Sequence, residues 1–219
     1  MPTEPLVALP EHPRLLTDAD VVALFREKRK RVVTFLGFGE LGYEDDEELR
    51  RLCERELRRH APDDTIINTG TLVTLGFRRG IADVYEIARR MRFATTGIHP
   101  SVSLRSEKPH ALSMFVDETF FVEDDSWGGL QSLNATPSPT LRALLAISDE
   151  VVVMGGGKHT AQELQAFLQN RTPVRFHALD MHHSTSEAWV RQTDADVGDF
   201  RGAAYHAWMS RTEHIVGTP

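Results

Sequence analysis

Residues 150–163 read Glu150-Val-Val-Val-Met-Gly-Gly-Gly-Lys-His-Thr-Ala-Gln-Glu163 and carry the strongest structural signal in the chain. The apolar, β-branched run over 150–154 predicts a buried strand, and residues 161–170 predict a helix. A strand that breaks into glycines and restarts as a helix presents backbone N–H groups and the positive end of a helix dipole to an anion. The stretch therefore predicts a phosphate site, whose candidate residues are Gly155, Gly156, Gly157, Lys158, His159 and Thr160.

A purely structural interpretation of the same stretch competes with the phosphate site. Thr160 and Glu163 have the spacing of a capping box, which closes the first turn of a helix without any ligand. A cap alone does not call for three consecutive glycines, which cost backbone entropy and whose missing side chains let a ligand approach closely. We therefore favour phosphate or nucleotide binding, and we expect Gly156 to leave the space in which a phosphate meets the backbone.

Units of the same kind, a strand followed by glycines and a helix, recur along the chain. This alternation predicts a single α/β domain of Rossmann-like type, with a mainly parallel sheet, helices on both faces and ligands at the carboxyl ends of the strands. Besides the central stretch, strands are predicted over 32–36, 65–68, 92–100 and 173–177, and helices over 45–60, 81–91 and 138–147.

The two ends of the domain and one internal region are less regular. Residues 1–30 contain four prolines before Thr17 and predict an N-terminal extension with a short helix, which leaves 31–219 for the Rossmann-like domain. Between Val102 and Thr136 we expect one or two strands and a loop through 126–129.

Charge and composition exclude several classes of protein. The chain has 219 residues with 25 Lys and Arg against 32 Asp and Glu, a net charge of −7, so no global positive field exists to hold a nucleic acid or an anionic membrane. Cys53 is the single cysteine, so no internal disulfide can form, and its position on an apolar helix face predicts a core residue. The sequence shows no apolar run long enough to span a bilayer and no signal-peptide core, which predicts a cytoplasmic protein.

Four glycine-containing segments are expected to form one pocket, because each follows a predicted strand. They are 37–42, 70–80, 97–100 and 155–160. Glu40 could meet the pocket from across the sheet or lie exposed on its loop. The candidate binding residues outside the central stretch are Gly37, Gly39, Glu40, Gly70, Thr71, Gly97 and Pro100.

The central stretch resembles the signature PGGxGTxxE of the LOG-like family, the cytokinin-activating phosphoribohydrolases and bacterial relatives often mislabelled lysine decarboxylases, within the SLOG superfamily of Rossmann-like nucleotide-binding proteins. Gly156, Gly157, Thr160 and Glu163 match the signature, whereas Gly155 stands at its proline and His159 at its third glycine.

The flanks extend the resemblance over about 31–170. Ser148-Asp149 before the strand is similar to the family's Ser-Asp-apolar lead-in, and Gly97 to Pro100 is similar to its Gly-apolar-x-Pro strand end. Gly70 with Gly76 and Gly80 stands at the second glycine loop, and Gly37 with Gly39 at the first. The resemblance implies a nucleotide-type small molecule as the ligand and a homodimer that completes its sites across the interface.

One departure from the family bears on the reaction. The phosphoribohydrolases carry an Arg-Lys pair on the helix before the signature strand, and its positions here are Thr140 and Leu141, with Arg142 as the nearest basic residue. The chain therefore lacks at that position a group that positions the substrate. Two functions stay open: hydrolysis of a nucleotide N-glycosidic bond, and a non-catalytic sensor or regulatory module for a nucleotide-derived ligand.

The residues themselves point to Glu163 as the candidate catalytic group, because N-glycoside cleavage builds oxocarbenium-like charge that a nearby carboxylate stabilises. Lys158 and His159 would neutralise a phosphate, or else only face solvent.

Residues 37–42 match G-x-G-x-x-G, but residues 57–60 contain no acidic side chain to hold a ribose hydroxyl, so we expect no nicotinamide dinucleotide. We expect no other cofactor either. A late cluster of metal-ligating residue types lacks a defined ligand spacing, so we expect no metal there: His177, Asp180, His182 and His183.

Overall fold

A seven-stranded parallel sheet forms the centre of the molecule. The computed structural model describes residues 6–8, 13–69, 73–74, 80–105, 110–131, 136–184 and 200–216. The strands are β1 (Leu6–Ala8), β2 (Leu15–Leu16), β3 (Arg31–Gly37), β4 (Thr65–Thr69), β5 (Val73–Thr74), β6 (Ala94–Pro100), β7 (His110–Ser113), β8 (Glu118–Val122), β9 (Leu130–Gln131), β10 (Thr136–Pro137), β11 (Glu150–Met154) and β12 (Val174–His177). The helices named below are α1 (Asp18–Lys28), α2 (Asp46–Leu57), α3 (Asp83–Arg90), α4 (Pro139–Ile147), α5 (Lys158–Gln169) and α6 (Gly202–Val216).

The strand order of the main sheet is β12-β11-β3-β4-β6-β8-β2, and every neighbouring pair in it is parallel. From β3 the chain adds β4 and β6 on one side, and it later adds β11 and β12 on the other side. The order therefore reverses between β3 and β11, where Gly37 lies opposite Met154 at the carboxyl ends of the two strands. In sheets of this type, ligands bind in the crevice at such a reversal.

Apolar side chains cover both faces of the sheet, which explains why β3 and β11 are nearly continuous in apolar residues. Val152 and Met154 of β11 pack with residues of α2 and α3, whereas Val151 and Val153 pack with residues of α1, α4 and α5. The Rossmann-like α/β fold with helices on both faces is thereby confirmed. No helix within the described residues is long and apolar enough to cross a membrane.

Most predicted elements are confirmed to within two or three residues, and β11 matches its predicted bounds. Cys53 is fully buried between α2 and the sheet, as predicted for a core residue. Burial raises the pKa of its thiol, so the group stays protonated.

The region from Val102 to Thr136 contains more strands than the one or two expected. β8 joins the main sheet, β7 pairs with β1 and β5 in a small antiparallel sheet, and β9 pairs with β10. β7 and β8 overlap the apolar runs 112–116 and 120–122, whereas β9 and β10 are two-residue strands that pair with each other and carry no local pattern. Near the N-terminus, β2 adds a parallel edge strand beside β8. The next element, α1, forms an ion pair with α4, in which Arg142 Nε lies 2.7 Å from Asp18 Oδ2.

Candidate functional site

The first glycine loop is closed by the Tyr43 side chain at the reversal point of the sheet. The Tyr43 hydroxyl donates to the carbonyl oxygen of Met154 at 2.7 Å and accepts from the backbone N–H of Phe38 at 3.0 Å. Burial raises the pKa of Tyr43 well above its usual value, so the hydroxyl stays protonated and can donate. A Cβ atom at Gly37 would lie 2.1 Å from this hydroxyl. Gly37 therefore makes room for Tyr43 and joins β3 to β11.

Tyr43→Phe should destabilise the fold by about 1–3 kcal/mol, because it leaves a buried N–H and a buried carbonyl without the hydroxyl that binds both. Equilibrium urea unfolding of the parent and the variant measures this difference. Tyr205→Phe, whose hydroxyl accepts from exposed Arg201, is the matched control and should change stability much less. Equal stability of the Tyr43→Phe variant and the parent would contradict the assigned role.

The structure brings Gly80 against the first glycine loop. Gly80 has a positive φ of 54°, and a Cβ atom there would lie 2.1 Å from the carbonyl oxygen of Gly39. The next residue, Ile81, donates its N–H to the carbonyl oxygen of Phe38 at 2.7 Å. Gly39 thus lies where the first loop meets the end of the second, whereas Gly70, Thr71 and Gly76 lie outside the described residues.

The three central glycines have different surroundings. A Cβ atom at Gly155 would lie 2.6 Å from the Leu179 carbonyl oxygen, and one at Gly156 would lie 2.5 Å from Cβ of Thr160. A Cβ atom built on Gly157 meets nothing within 4 Å. Thr160 therefore fills the space that a side chain at Gly156 would occupy, and the phosphate contact expected at Gly156 stays a prediction. Of the three glycines, Gly157 is the one that faces open space.

The competing interpretation of Thr160 and Glu163 as a capping box is wrong. α5 begins at Lys158, three residues earlier than predicted, and its N-cap is Gly157, with no side chain bonded to the cap. Thr160 lies inside the first turn, and its hydroxyl donates instead to the carbonyl oxygen of Gly37 at 3.1 Å. Thr160 therefore links α5 to the end of β3 across the reversal point.

A second helix also begins at the glycine loop. Ala204, in the first turn of α6, donates its backbone N–H to the carbonyl oxygen of Gly156 at 3.0 Å. A Cβ atom at Gly202 would lie 2.5 Å from that same oxygen. The positive ends of the α5 and α6 dipoles thus lie close together, which makes the loop attractive to an anion. The sequence analysis missed α6, although Gly202 at a helix start was an available signal.

Glu163 and His159 form a pair on the first two turns of α5. Glu163 is 9% exposed, whereas the His159 side chain is half exposed, and His159 Nε2 lies 3.3 Å from Glu163 Oε1. The hydrogen bond to Glu163 and the charge of that carboxylate raise the pKa of His159, although burial opposes the shift. The site therefore pairs a buried carboxylate with an imidazole that is more readily protonated than usual.

This pair predicts a pH dependence. A raised pKa in the folded state means that the pair stabilises the fold fully below about pH 6.5, the ordinary histidine value, and that this stabilisation is lost as the pH rises through the raised pKa. An NMR titration of the His159 imidazole proton should show a pKa above the ordinary value in the parent. In Glu163→Gln the pKa should fall back towards it. A pKa unchanged by the substitution would contradict the pairing.

Asp124, at the carboxyl end of β8, is a buried residue of the site that the sequence analysis missed. Its carboxylate accepts from the Ser126 backbone N–H at 2.9 Å, from the Ser126 hydroxyl at 2.6 Å and from the Thr140 backbone N–H at 3.0 Å. Burial by itself would raise the pKa of Asp124, but these hydrogen bonds outweigh burial and lower it. Asp124 thus joins residues 126–129 to the start of α4. No local sequence pattern distinguishes Asp124 from its acidic neighbours.

The remaining sequence candidates are placed as follows. Gly97 and Pro100 lie within β6 and not on a loop after it, because β6 continues to Pro100 beside β8. A Cβ atom at Gly97 would lie 2.7 Å from His99 Nε2, so this glycine makes room for a buried histidine. Glu40 is partly exposed in the turn after β3, and Lys158 is exposed at the start of α5.

The late histidines do not converge. His177 Nε2 lies 3.0 Å from the buried carboxylate of Glu56, while His183 lies near Glu44 and packs against Phe200 with the two rings tilted by 36°. Asp180 is exposed, and His182 contacts the Ser184 hydroxyl at 2.9 Å. Over the part of the chain that the structure describes, no three metal-ligating side chains come together in a way that could hold an ion.

Comparison with known proteins adds two distant structural likenesses. No protein-family model and no curated protein matches the sequence. The chain is similar to the molybdenum cofactor binding protein from the phototrophic bacterium Rippkaea orientalis, with 16% identity and a TM-score of 0.46 over 86% of this chain and 98% of that one. It is also similar to the protein TM1055, with 20% identity and a TM-score of 0.43 over 66% of this chain and 72% of that one. Neither likeness assigns a ligand or an activity to this chain.

Proposed function

We propose that this chain binds a nucleotide or another phosphorylated ribosyl ligand, with the phosphate at Gly157 and the first turn of α5. The observation that carries the proposal is the open space at Gly157, beside a helix start that no side chain caps. The first N–H groups of an α-helix have no partner within the helix, so they are suited to bind phosphate oxygens. The nearby start of α6 and the exposed Lys158 add positive potential.

We also propose that the chain is a LOG-like protein and that its reaction, where it has one, is hydrolysis of a nucleotide N-glycosidic bond. Glu163 supports this assignment, because its carboxylate is buried two turns from Gly157 and lies beside a group that can hold a proton, His159. A buried carboxylate, in an environment of low dielectric constant, stabilises developing positive charge on a sugar more strongly than a carboxylate in water does.

A second candidate function is a sensor that binds the same ligand without turnover. Thr140 favours it, because the residue at the position of the family's arginine is buried, with 4% exposure, and directs its backbone N–H to Asp124. No guanidinium is therefore available from this position to orient a substrate beside Glu163.

Turnover distinguishes the two candidates. The purified full chain is incubated with a panel of nucleoside monophosphates, and released base and ribose 5-phosphate are separated by chromatography, while calorimetry measures binding. Binding with release of base supports the hydrolase, and binding without release supports the sensor. Absence of binding to every member of the panel would overturn the proposed ligand class.

A homodimer is a further part of the proposal and rests on the resemblance to the LOG-like family. Sedimentation velocity over a range of protein concentrations should show a species of twice the chain mass. A pure monomer at all concentrations would reject it.

A further inference from the structure

A short loop after β8 lies directly on the first turns of α5. We call residues 126–129, Ser126-Trp127-Gly128-Gly129, the roof loop. A Cβ atom at Gly128 would lie 3.5 Å from His159 Nε2, and one at Gly129 would lie 2.9 Å from Gln162 Oε1. The two glycines, with φ of 85° and 67°, thus let the loop backbone contact these two side chains of α5.

The roof loop is held in place at both ends. Asp124 binds the backbone N–H and the hydroxyl of Ser126, and the carbonyl oxygen of Gly129 accepts from the Ser138 N–H at 2.9 Å. Ser138 in turn caps α4, and Asp124 is 4% exposed. The loop is therefore anchored to the α4 start on one side and rests on α5 on the other.

Trp127 is carried by this anchored loop, and it is 56% exposed, more than any other large apolar side chain that the structure describes. The Cα of Trp127 is about 3.8 Å from that of Gly128. A Cβ atom built on Gly128 would lie 3.5 Å from His159 Nε2, and His159 is two residues from Gly157. The exposed indole is thus carried by a loop whose backbone lies beside His159, in the first turn of the helix that begins after Gly157.

We propose that Trp127 stacks on the base of the ligand whose phosphate binds at Gly157, so that the site selects nucleotides over phosphorylated sugars without a base. This inference rests on the proposed function and adds the determinant of ligand class. Stacking of a base on an aromatic side chain is tolerant of base identity, because every base has a π face. The proposal therefore assigns Trp127 to affinity for the base in general and not to the choice of one base.

Calorimetry with two probes tests the proposal on the full chain. The parent should bind adenosine 5′-monophosphate more tightly than ribose 5-phosphate. Trp127→Ala should weaken binding of adenosine 5′-monophosphate by tenfold or more and leave the affinity for ribose 5-phosphate unchanged, whereas Trp127→Phe should retain most of the affinity. Met114→Ala is the control and should change neither affinity, because this exposed residue is next to Phe115, whose carbonyl oxygen accepts from Thr95 near the start of β6, at the opposite end of the strands.

Intrinsic fluorescence provides a second measurement that does not need the alanine variant. Adenosine 5′-monophosphate should quench tryptophan emission in the parent, and the quenching should be largely lost in Trp127→Phe although calorimetry still detects binding. Trp189 and Trp208 remain in this variant and account for its residual emission, and Trp208 stacks on Phe176 with ring centroids 5.4 Å apart.

The outcomes distinguish failure of the stacking role of Trp127 from failure of the phosphate site at Gly157. Equal losses for both probes in Trp127→Ala, or no loss for either, would overturn the stacking role while leaving the phosphate site intact. Quenching of the same size in Trp127→Phe as in the parent would also overturn it. A parent that binds neither probe would overturn the proposed function together with this inference.

Discussion

Gly157→Val should fold like the parent and lose detectable binding of adenosine 5′-monophosphate. Gly157 has a φ of −84° and ψ of −161°, extended values that any residue adopts, and its Cβ would meet nothing within 4 Å. The added side chain therefore costs the fold little, yet it fills the space in which a phosphate would reach the backbone N–H groups of α5. Thermal unfolding and calorimetry on one sample measure both quantities. Unchanged affinity in a folded variant would show that the phosphate does not bind at this turn.

Gly156→Val is the matched comparison, and it should damage the fold itself. Gly156 has a φ of 134°, which non-glycine residues rarely adopt, at a cost of roughly 1–3 kcal/mol for the backbone alone. Its Cβ would also lie 2.5 Å from Cβ of Thr160, so α5 would have to move. We expect a much lower melting temperature for this variant than for Gly157→Val. A Gly156→Val protein as stable as the parent would contradict the packing against Thr160.

Glu163→Gln should lower the rate of N-glycoside hydrolysis about a hundredfold or more while leaving nucleotide affinity nearly unchanged. The loss is the size expected when one preorganised electrostatic group is removed from a developing charge. Glutamine keeps the volume of the side chain and can still bind His159, and no helix cap is lost because Gly157 is the N-cap. The fold should therefore remain close to the parent in stability.

Chromatography of released base, together with thermal unfolding, measures this effect. Gln165→Glu, on the exposed side of the same helix, is a control for a change of one charge on α5 and should not alter the rate. Full turnover in Glu163→Gln would exclude Glu163 from the mechanism. A parent without turnover on any nucleotide would favour the sensor function over the hydrolase.

The fold could be predicted largely from local sequence. β11 and α4 are predictable from the sequence, because an apolar run, and a serine followed by a proline at a helix start, are signals that act over a few residues. The parallel sheet followed from the alternation of strands and helices. The two-residue strand β9 lies beyond the one or two strands expected between Val102 and Thr136, because it exists only through its pairing with β10.

The loops of the candidate site could be located from the sequence, but their contacts could not be predicted from it. Glycines after β3 and β11 indicated where the loops lie, and the sheet order brought those two loops together. The contacts that shape the site join residues far apart in the chain, such as the Tyr43 hydroxyl with Met154, or Ala204 with Gly156. Local periodicity carries no information about such pairs, so Tyr43, Asp124 and α6 were missed.

The amino-acid sequence by itself determined the order of strand, glycine loop and helix, and with it the end of the sheet at which the glycine loops lie. Only the tertiary structure decided the structural role of each glycine. Gly37 makes room for Tyr43, Gly156 makes room for Thr160, and Gly157 alone of the central three faces open space. The physical reason is that a glycine's role depends on the atoms opposite its missing side chain. Packing of the whole chain, and not the neighbouring sequence, places those atoms.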